Sequence, residues 1–358
     1  MMSARAGGRI GIPIRPPFFC HHSTNRPKPG MTNPMKRSET KQPYPVMDAH
    51  VDLLHDLMVR HPNTALAELP HAWVSIPRLR EGRVRVIVSA FYCPDSHNGP
   101  ARAADHLRSL LGYADSYLDG LAIITTPGEL ESCYGGTGAP GALRLLENGD
   151  ALLEITPEEL KRYGFRVVGL THGGRNRLAD GNGVEHPDGL TPAGRDLVRE
   201  LDRLGFAIDT AHLSEPAFRE VAALFTGSLI CSHTGVRSFF PIPRNISEEQ
   251  ARIIVSRGGV IGIAAAPEIL SPDGGADITA VFRQIDCLVQ RHGAEWVGIG
   301  SDFGGFDSVC RGLEDHSSLP LLGELLERAG YPGEAVGWIM GGNWFRFFHR
   351  LLAASPAG

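Results

Sequence analysis

From residue 46 onward, short apolar runs alternate with amphipathic segments, and no other feature of the chain restricts its fold as much. The runs are rich in Val, Ile, Leu and Gly, the composition of parallel strands buried on both faces. Eight are legible, over 46–52, 84–92, 142–147, 166–172, 206–212, 228–233, 259–265 and 296–302. Helical segments fall between them. Over 191–204, Leu197, Leu201 and Leu204 share one face. Ser247-Glu-Glu-Gln250 reads as a capping box ahead of an apolar run, and a last helix is predicted over 343–352. Repeated strand–helix units of this number predict an α/β fold, a (β/α)₈ TIM barrel. A doubly wound open sheet is the alternative, and the placement of polar residues decides against it.

Residues 46–358 are therefore expected to form a single barrel domain. Residues 1–45 carry many Arg, Pro and Lys and almost no acid, the pattern of a disordered basic tail. Apolar stretches there are too short for a signal peptide, and no run approaches the roughly 20 residues of a membrane span. The six cysteines are scattered without a CxxC pair, which argues against a zinc ribbon and fits a reducing compartment. A net charge of −5 offers no electrostatic footprint for nucleic acid. These features together predict a cytoplasmic protein without nucleic-acid or membrane partners.

In a (β/α)₈ barrel, catalysis takes place at the C-terminal ends of the strands. Six predicted strands end on a residue able to bind metal or move protons: His50 and Asp52, Glu147, His172, His212, His233 and Asp302. Side-chain alternation predicts that His50 and Asp52 face the same side. One such residue means little, since a lone strand-end histidine is more often a hydrogen-bonded rim residue. Six at one end of a barrel are costly unless they pair or coordinate metal. Nitrogen and oxygen donors with a bridging acid suit zinc, and two such ions would activate a water and polarise a carbonyl. Lys occurs only at 28, 36, 41 and 161, never at a strand end, so a carboxylated lysine cannot bridge two metals. Glu147 is the available bridge. His55, His61, His71, His97, His186, His292, His316 and His349 lie in helix or loop contexts and read as solvated or structural, and His21 and His22 sit in the tail.

Over residues 46–350 the chain resembles the membrane (renal) dipeptidases, peptidase family M19. The resemblance rests on Asp48-Ala-His-Val-Asp52, Leu146-Glu-Asn-Gly-Asp-Ala-Leu152, Gly169-Leu-Thr-His172, Asn176, Ala179-Asp180, Gly189-Leu-Thr, Asp209-Thr-Ala-His212, Cys231-Ser-His233, Arg244-Asn245, Gly298-Ile-Gly-Ser-Asp-Phe303 and Gly341-Gly-Asn343. It implies a zinc-dependent dipeptidase on a barrel of the metal-dependent hydrolase type. Two Zn²⁺ ions would be held, one by His50 and Asp52, the other by His212 and His233, with Glu147 bridging. Asp302 would shuttle the proton from water to the leaving amine. His172 would stabilise the oxyanion, and Arg244, with Asn245 beside it, would bind the substrate carboxylate. A homodimer is the assembly the resemblance suggests.

Four departures from the family pattern lie beside these residues: Asn148 for Gly, Gly173 for Asn, Thr210-Ala211 for Leu-Ser, and Gly304 for Asp. They bear on substrate preference. Two rival readings remain at this level. One is a binuclear hydrolase of another small amide, a lactam or an N-acyl amino acid. The other is a metal-binding barrel without catalysis.

Overall fold

The computed structural model describes residues 44–69 and 72–354. Residues 1–43 of the predicted tail, and His71, lie outside them. Among the described residues, nine parallel strands form one sheet: β1 (Val46–Val51), β2 (Val84–Tyr92), β3 (Ala122–Ile123), β4 (Gly141–Glu147), β5 (Phe165–Gly169), β6 (Ala207–Asp209), β7 (Leu229–Thr234), β8 (Ile261–Ile263) and β9 (Val297–Ile299). Pairing of β1 with β9 and of β2 with β4 closes eight of them into a barrel. β3 is an addition to the eight predicted strands. Its two residues pair with Gly141 and Ala142 at the start of β4, before β5 joins that edge at Arg144. Strands β5, β6, β8 and β9 stop sooner than their apolar runs do, so His172, His212 and Asp302 lie just beyond strand ends.

The helices form as their sequences dictate. Thr191 caps Pro192–Arg203 by accepting from the Gly194 amide, and Leu197, Val198 and Leu201 are buried. Ser247 and Gln250 close the predicted capping box on Glu248–Ser256. The last helix, Asn343–Ala354, turns Trp344, Phe347, Phe348 and Leu351 into the barrel's inner cluster, where they meet Met47, Val86, Leu143, Val167, Ala207 and Ile230. Gly298 makes room for this plug, since a Cβ there would lie 2.3 Å from the Trp344 indole nitrogen.

Two β-bulges decide what the barrel presents at its mouth. Between Asp48 and Val51, three steps along β1 oppose two along β2, from Ile87 to Ser89. Met47 and Ala49 point inward, while Val46 and Val51 pack outside. Plain alternation would send His50 outward with Asp48; the extra residue turns it in beside His233, ring centroids 3.7 Å apart. The same device recurs on β7, where three steps from Cys231 to Thr234 oppose two on β8, from Ile261 to Ile263. Ile230 faces inward and Cys231 outward, after which Ser232 and His233 both face the interior. Gly262 and Gly300 leave space for the bulged backbone, because a Cβ on either would fall within about 2 Å of the Ser232 carbonyl oxygen.

Candidate metal centre and active site

His50 and His233 lie inside β1 and β7, Glu147 ends β4, and Asp52 directly follows β1. His172, His212 and Asp302 each stand three residues past a strand, after Gly169, Asp209 and Ile299. His212 and Asp302 both take φ 65°, and Asn148 takes φ 68°. Left-handed backbone is uncommon outside glycine and gathers at functional sites. Here it turns two side chains off the ends of their strands and toward the barrel axis.

These residues converge. Glu147 Oε2 lies 3.4 Å from His50 Nε2, while its Oε1 lies 3.1 Å from His212 Nε2 and 3.9 Å from His233 Nε2. His50 Nε2 is 3.7 Å from Asp52 Oδ2, and the Nε2 atoms of His212 and His233 are 3.0 Å apart. Donor atoms of His50, Asp52 and Asp302 all fall within 4.8 Å of one another, as do those of Glu147, His212 and His233. His50 Nε2 and Asp52 Oδ1 are buried without a hydrogen-bond partner. Buried polar atoms rarely go unsatisfied. Donors spaced this way suit ions with bonds of about 2.0–2.2 Å, and the nitrogen and carboxylate set fits zinc.

Electrostatics agree with that use. Burial pushes His212 down to about 3, with help from the Arg244 guanidinium, and holds His233 well below the usual histidine range. Both rings are therefore neutral, the form that binds metal. Burial opposes ionisation of Glu147, yet the His50 charge and hydrogen bonds from His212 and His50 hold it well below the carboxylate range. Burial would also lower His50, but Glu147 and Asp52 outweigh it and raise that ring. Asp302 is raised well above the carboxylate range by burial and by the adjacent Asp52 charge. A carboxyl raised in this way holds a proton more readily than a free one, as a group that accepts and returns a proton must.

The sequence reading assigned no role to several residues that support this centre. Asp95, just past β2, contacts His172 Nδ1 through Oδ2 at 3.2 Å and accepts from the Gly174 amide at 2.9 Å. It follows an apolar run as the other site residues do, and that was the available signal. The Asp209 carboxylate lies near His50 and His233, and the three could be taken for a metal-binding group. The Ser232 hydroxyl stands between them: Asp209 lies on the Nδ1 side of both rings, away from Glu147, and does not face the donor centre.

Arg244 Nη1 and Nη2 approach the His233 carbonyl at 3.2 and 3.3 Å. The Nδ2 group of Asn245 donates to the Phe240 and Ile269 carbonyls, so this side chain braces the loop that carries Arg244. Asn148 also has a structural reason. Its left-handed backbone is one that Gly or Asn adopts readily. Its amide donates to Cys93 O and to Asn98 Oδ1, and its Oδ1 accepts from Asn176, tying together the loops after β2, β4 and β5. Gly304 has φ +94° and no space for a side chain, since a Cβ would meet the Asp52 carbonyl at 2.8 Å. At Gly173 a Cβ would meet nothing within 4 Å, so the mouth beside His172 is open.

The sequence profile of the membrane dipeptidases, peptidase family M19, matches residues 36–355. The dipeptidase tcpJ of Claviceps purpurea is 29% identical over 310 residues, 80% of this chain and 71% of that protein. The dipeptidase aclJ of Aspergillus oryzae is 28% identical over 292 residues, 76% of this chain and 68% of that protein. A metallopeptidase from Rhodobacter sphaeroides, solved with a phosphinate mimic of the dipeptide L-Ala-D-Ala, superposes with a TM-score of 0.77 at 25% identity, covering 87% of this chain and 99% of that one. With a profile match over nearly its whole length and a matching barrel, the chain belongs to the membrane dipeptidase family, peptidase family M19, and is a metallo-dipeptidase.

Proposed function

We propose that this metallo-dipeptidase works with two zinc ions bridged by Glu147, one held with His50 and Asp52, the other with His212 and His233. The observation that carries this reading is the division of labour within one carboxylate. Glu147 Oε2 faces His50, and Oε1 faces His212 and His233. Bound there, the ions supply Lewis acidity, activating water and polarising the scissile carbonyl.

The chain's own residues do the rest. Asp302, raised by burial and Asp52, takes the proton from the attacking water and passes it to the leaving amine. His172, oriented by Asp95, donates to the developing oxyanion from the ring nitrogen that Asp95 leaves free. Arg244 binds the terminal carboxylate of the substrate, a task its planar fork suits. Asn245 acts indirectly, by holding the loop of Arg244. No helix among the described residues is long and apolar enough to cross a membrane. We place the enzyme in the cytoplasm, as a homodimer.

The test is a substrate panel: L,L- and L,D-dipeptides including L-Ala-D-Ala, their C-terminal amides, tripeptides and N-acyl amino acids, with chelator-treated protein as control. Metal-dependent cleavage confined to dipeptides with a free carboxylate is the expected result. Preferential cleavage of N-acyl amino acids would replace the proposed substrate class.

A further inference from the structure

One hydroxyl touches both halves of the metal centre. Ser232 Oγ lies 3.0 Å from His50 Nδ1, 2.8 Å from His233 Nδ1 and 2.5 Å from Asp209 Oδ2. All four residues are buried. A serine hydroxyl has one hydrogen to donate and two lone pairs that accept. The Asp209 carboxylate consumes the hydrogen. Its other oxygen, Oδ1, already accepts from the Ser232 amide at 2.9 Å and the Ala211 amide at 3.1 Å. Three donors thus point at Asp209, as an ionised carboxylate requires. The two lone pairs of Ser232 then face two imidazoles, and each ring satisfies them only by carrying its proton on Nδ1.

We propose that Ser232, held by Asp209, is a positioning residue that fixes the tautomer of His50 and His233 together, so that both present a bare Nε2 to the metals. The inference rests on the metal-centre reading above. It accounts for the bulge on β7, which lets two consecutive residues, Ser232 and His233, both face inward. It also gives the two ions a shared support, since each proposed metal site has one ligand resting on the same oxygen. A ring whose Nδ1–H is held in this way offers its Nε2 as a stronger and better-aimed ligand.

The experiment uses zinc-loaded, ¹⁵N-histidine-labelled protein, reading imidazole N–H correlations and the stepwise loss of zinc to a competing chelator. Signals are assigned from His50→Gln and His233→Gln variants. In the unsubstituted protein, both rings are expected to show an Nδ1 proton protected from solvent exchange. Ser232→Ala should expose both Nδ1 protons to exchange and weaken both ions roughly 10- to 100-fold. Asp209→Asn preserves shape and covers the case in which Ser232→Ala does not fold. Its amide oxygen must take the two backbone amides, so its NH₂ group faces Ser232. The serine hydrogen then turns toward one imidazole and forbids an Nδ1 proton there. Loss of affinity at one ion, with the other retained, is the expected result. Two protected Nδ1 protons and unchanged affinity for both ions in these variants would overturn the role of Ser232 while leaving the metal centre intact. Unsubstituted protein that takes up no zinc would overturn both.

Discussion

Glu147 reaches two donor sets with its two oxygens. Glu147→Ala should drop bound zinc toward one ion or none by elemental analysis, and retention of two would remove the bridging role. Asp302→Asn is a cleaner probe than most, because Asn tolerates the same φ of 65°. It should keep its metal and lose about 10²- to 10⁴-fold in kcat, the usual contribution of a positioned acid–base group. Near-normal turnover would exclude Asp302 from proton transfer. His50, Asp52, Glu147, His172, His212, His233 and Asp302 were legible in the sequence because metal-capable groups rarely close apolar runs without a reason. Their helpers were not. Asp95 lies 77 residues from His172, and Ser232 lies 182 from His50, so only the fold brings each pair together.

At the scale of elements, the bulges on β1 and β7 aim the two histidines. Alternation alone put His50 and Asp52 on one side, and they do share it, but only the bulge makes that side the interior. One extra residue in a strand leaves no mark on an apolar run, so the device was invisible beforehand. The glycines that accommodate it are testable. A Cβ at Gly300 would lie 1.8 Å from the Ser232 carbonyl oxygen and 3.3 Å from the His233 Cα. Gly300→Ala should cost about 1–3 kcal/mol in denaturant unfolding, the usual range for overpacking. It should also lower zinc affinity by displacing β7. Wild-type stability and affinity together would show that the bulge does not depend on this space.

At the scale of the whole molecule, the loops above the strands are tied into a rim. Asp150 accepts from the Gly99 amide at 2.7 Å, the Arg177 amide at 2.9 Å and Arg177 Nε at 3.0 Å, linking the loops after β2, β4 and β5. Burial opposes its ionisation, but Arg177 and the two amides win and hold its pKa below the carboxylate range. A depressed folded-state pKa contributes stability above the unfolded value of about 3.9, and that stability disappears as pH falls through the folded value. Asp150→Asn should therefore lose about 1–3 kcal/mol at pH 7. Its urea midpoint should also fall less than that of the unsubstituted protein between pH 7 and pH 3. Equal acid sensitivity would assign the pH dependence to other groups. The barrel was legible from its alternating apolar runs, while β3 was too short to register.

Hydrolysis by two ions bridged by Glu147 stands at the centre of the proposed function. Its most direct test is to titrate chelator-stripped protein with Zn²⁺ while following cleavage of L-Ala-D-Ala. Activity should be absent without metal and should saturate at two equivalents per chain. Full activity at one equivalent, or activity that survives complete removal of metal, would contradict it.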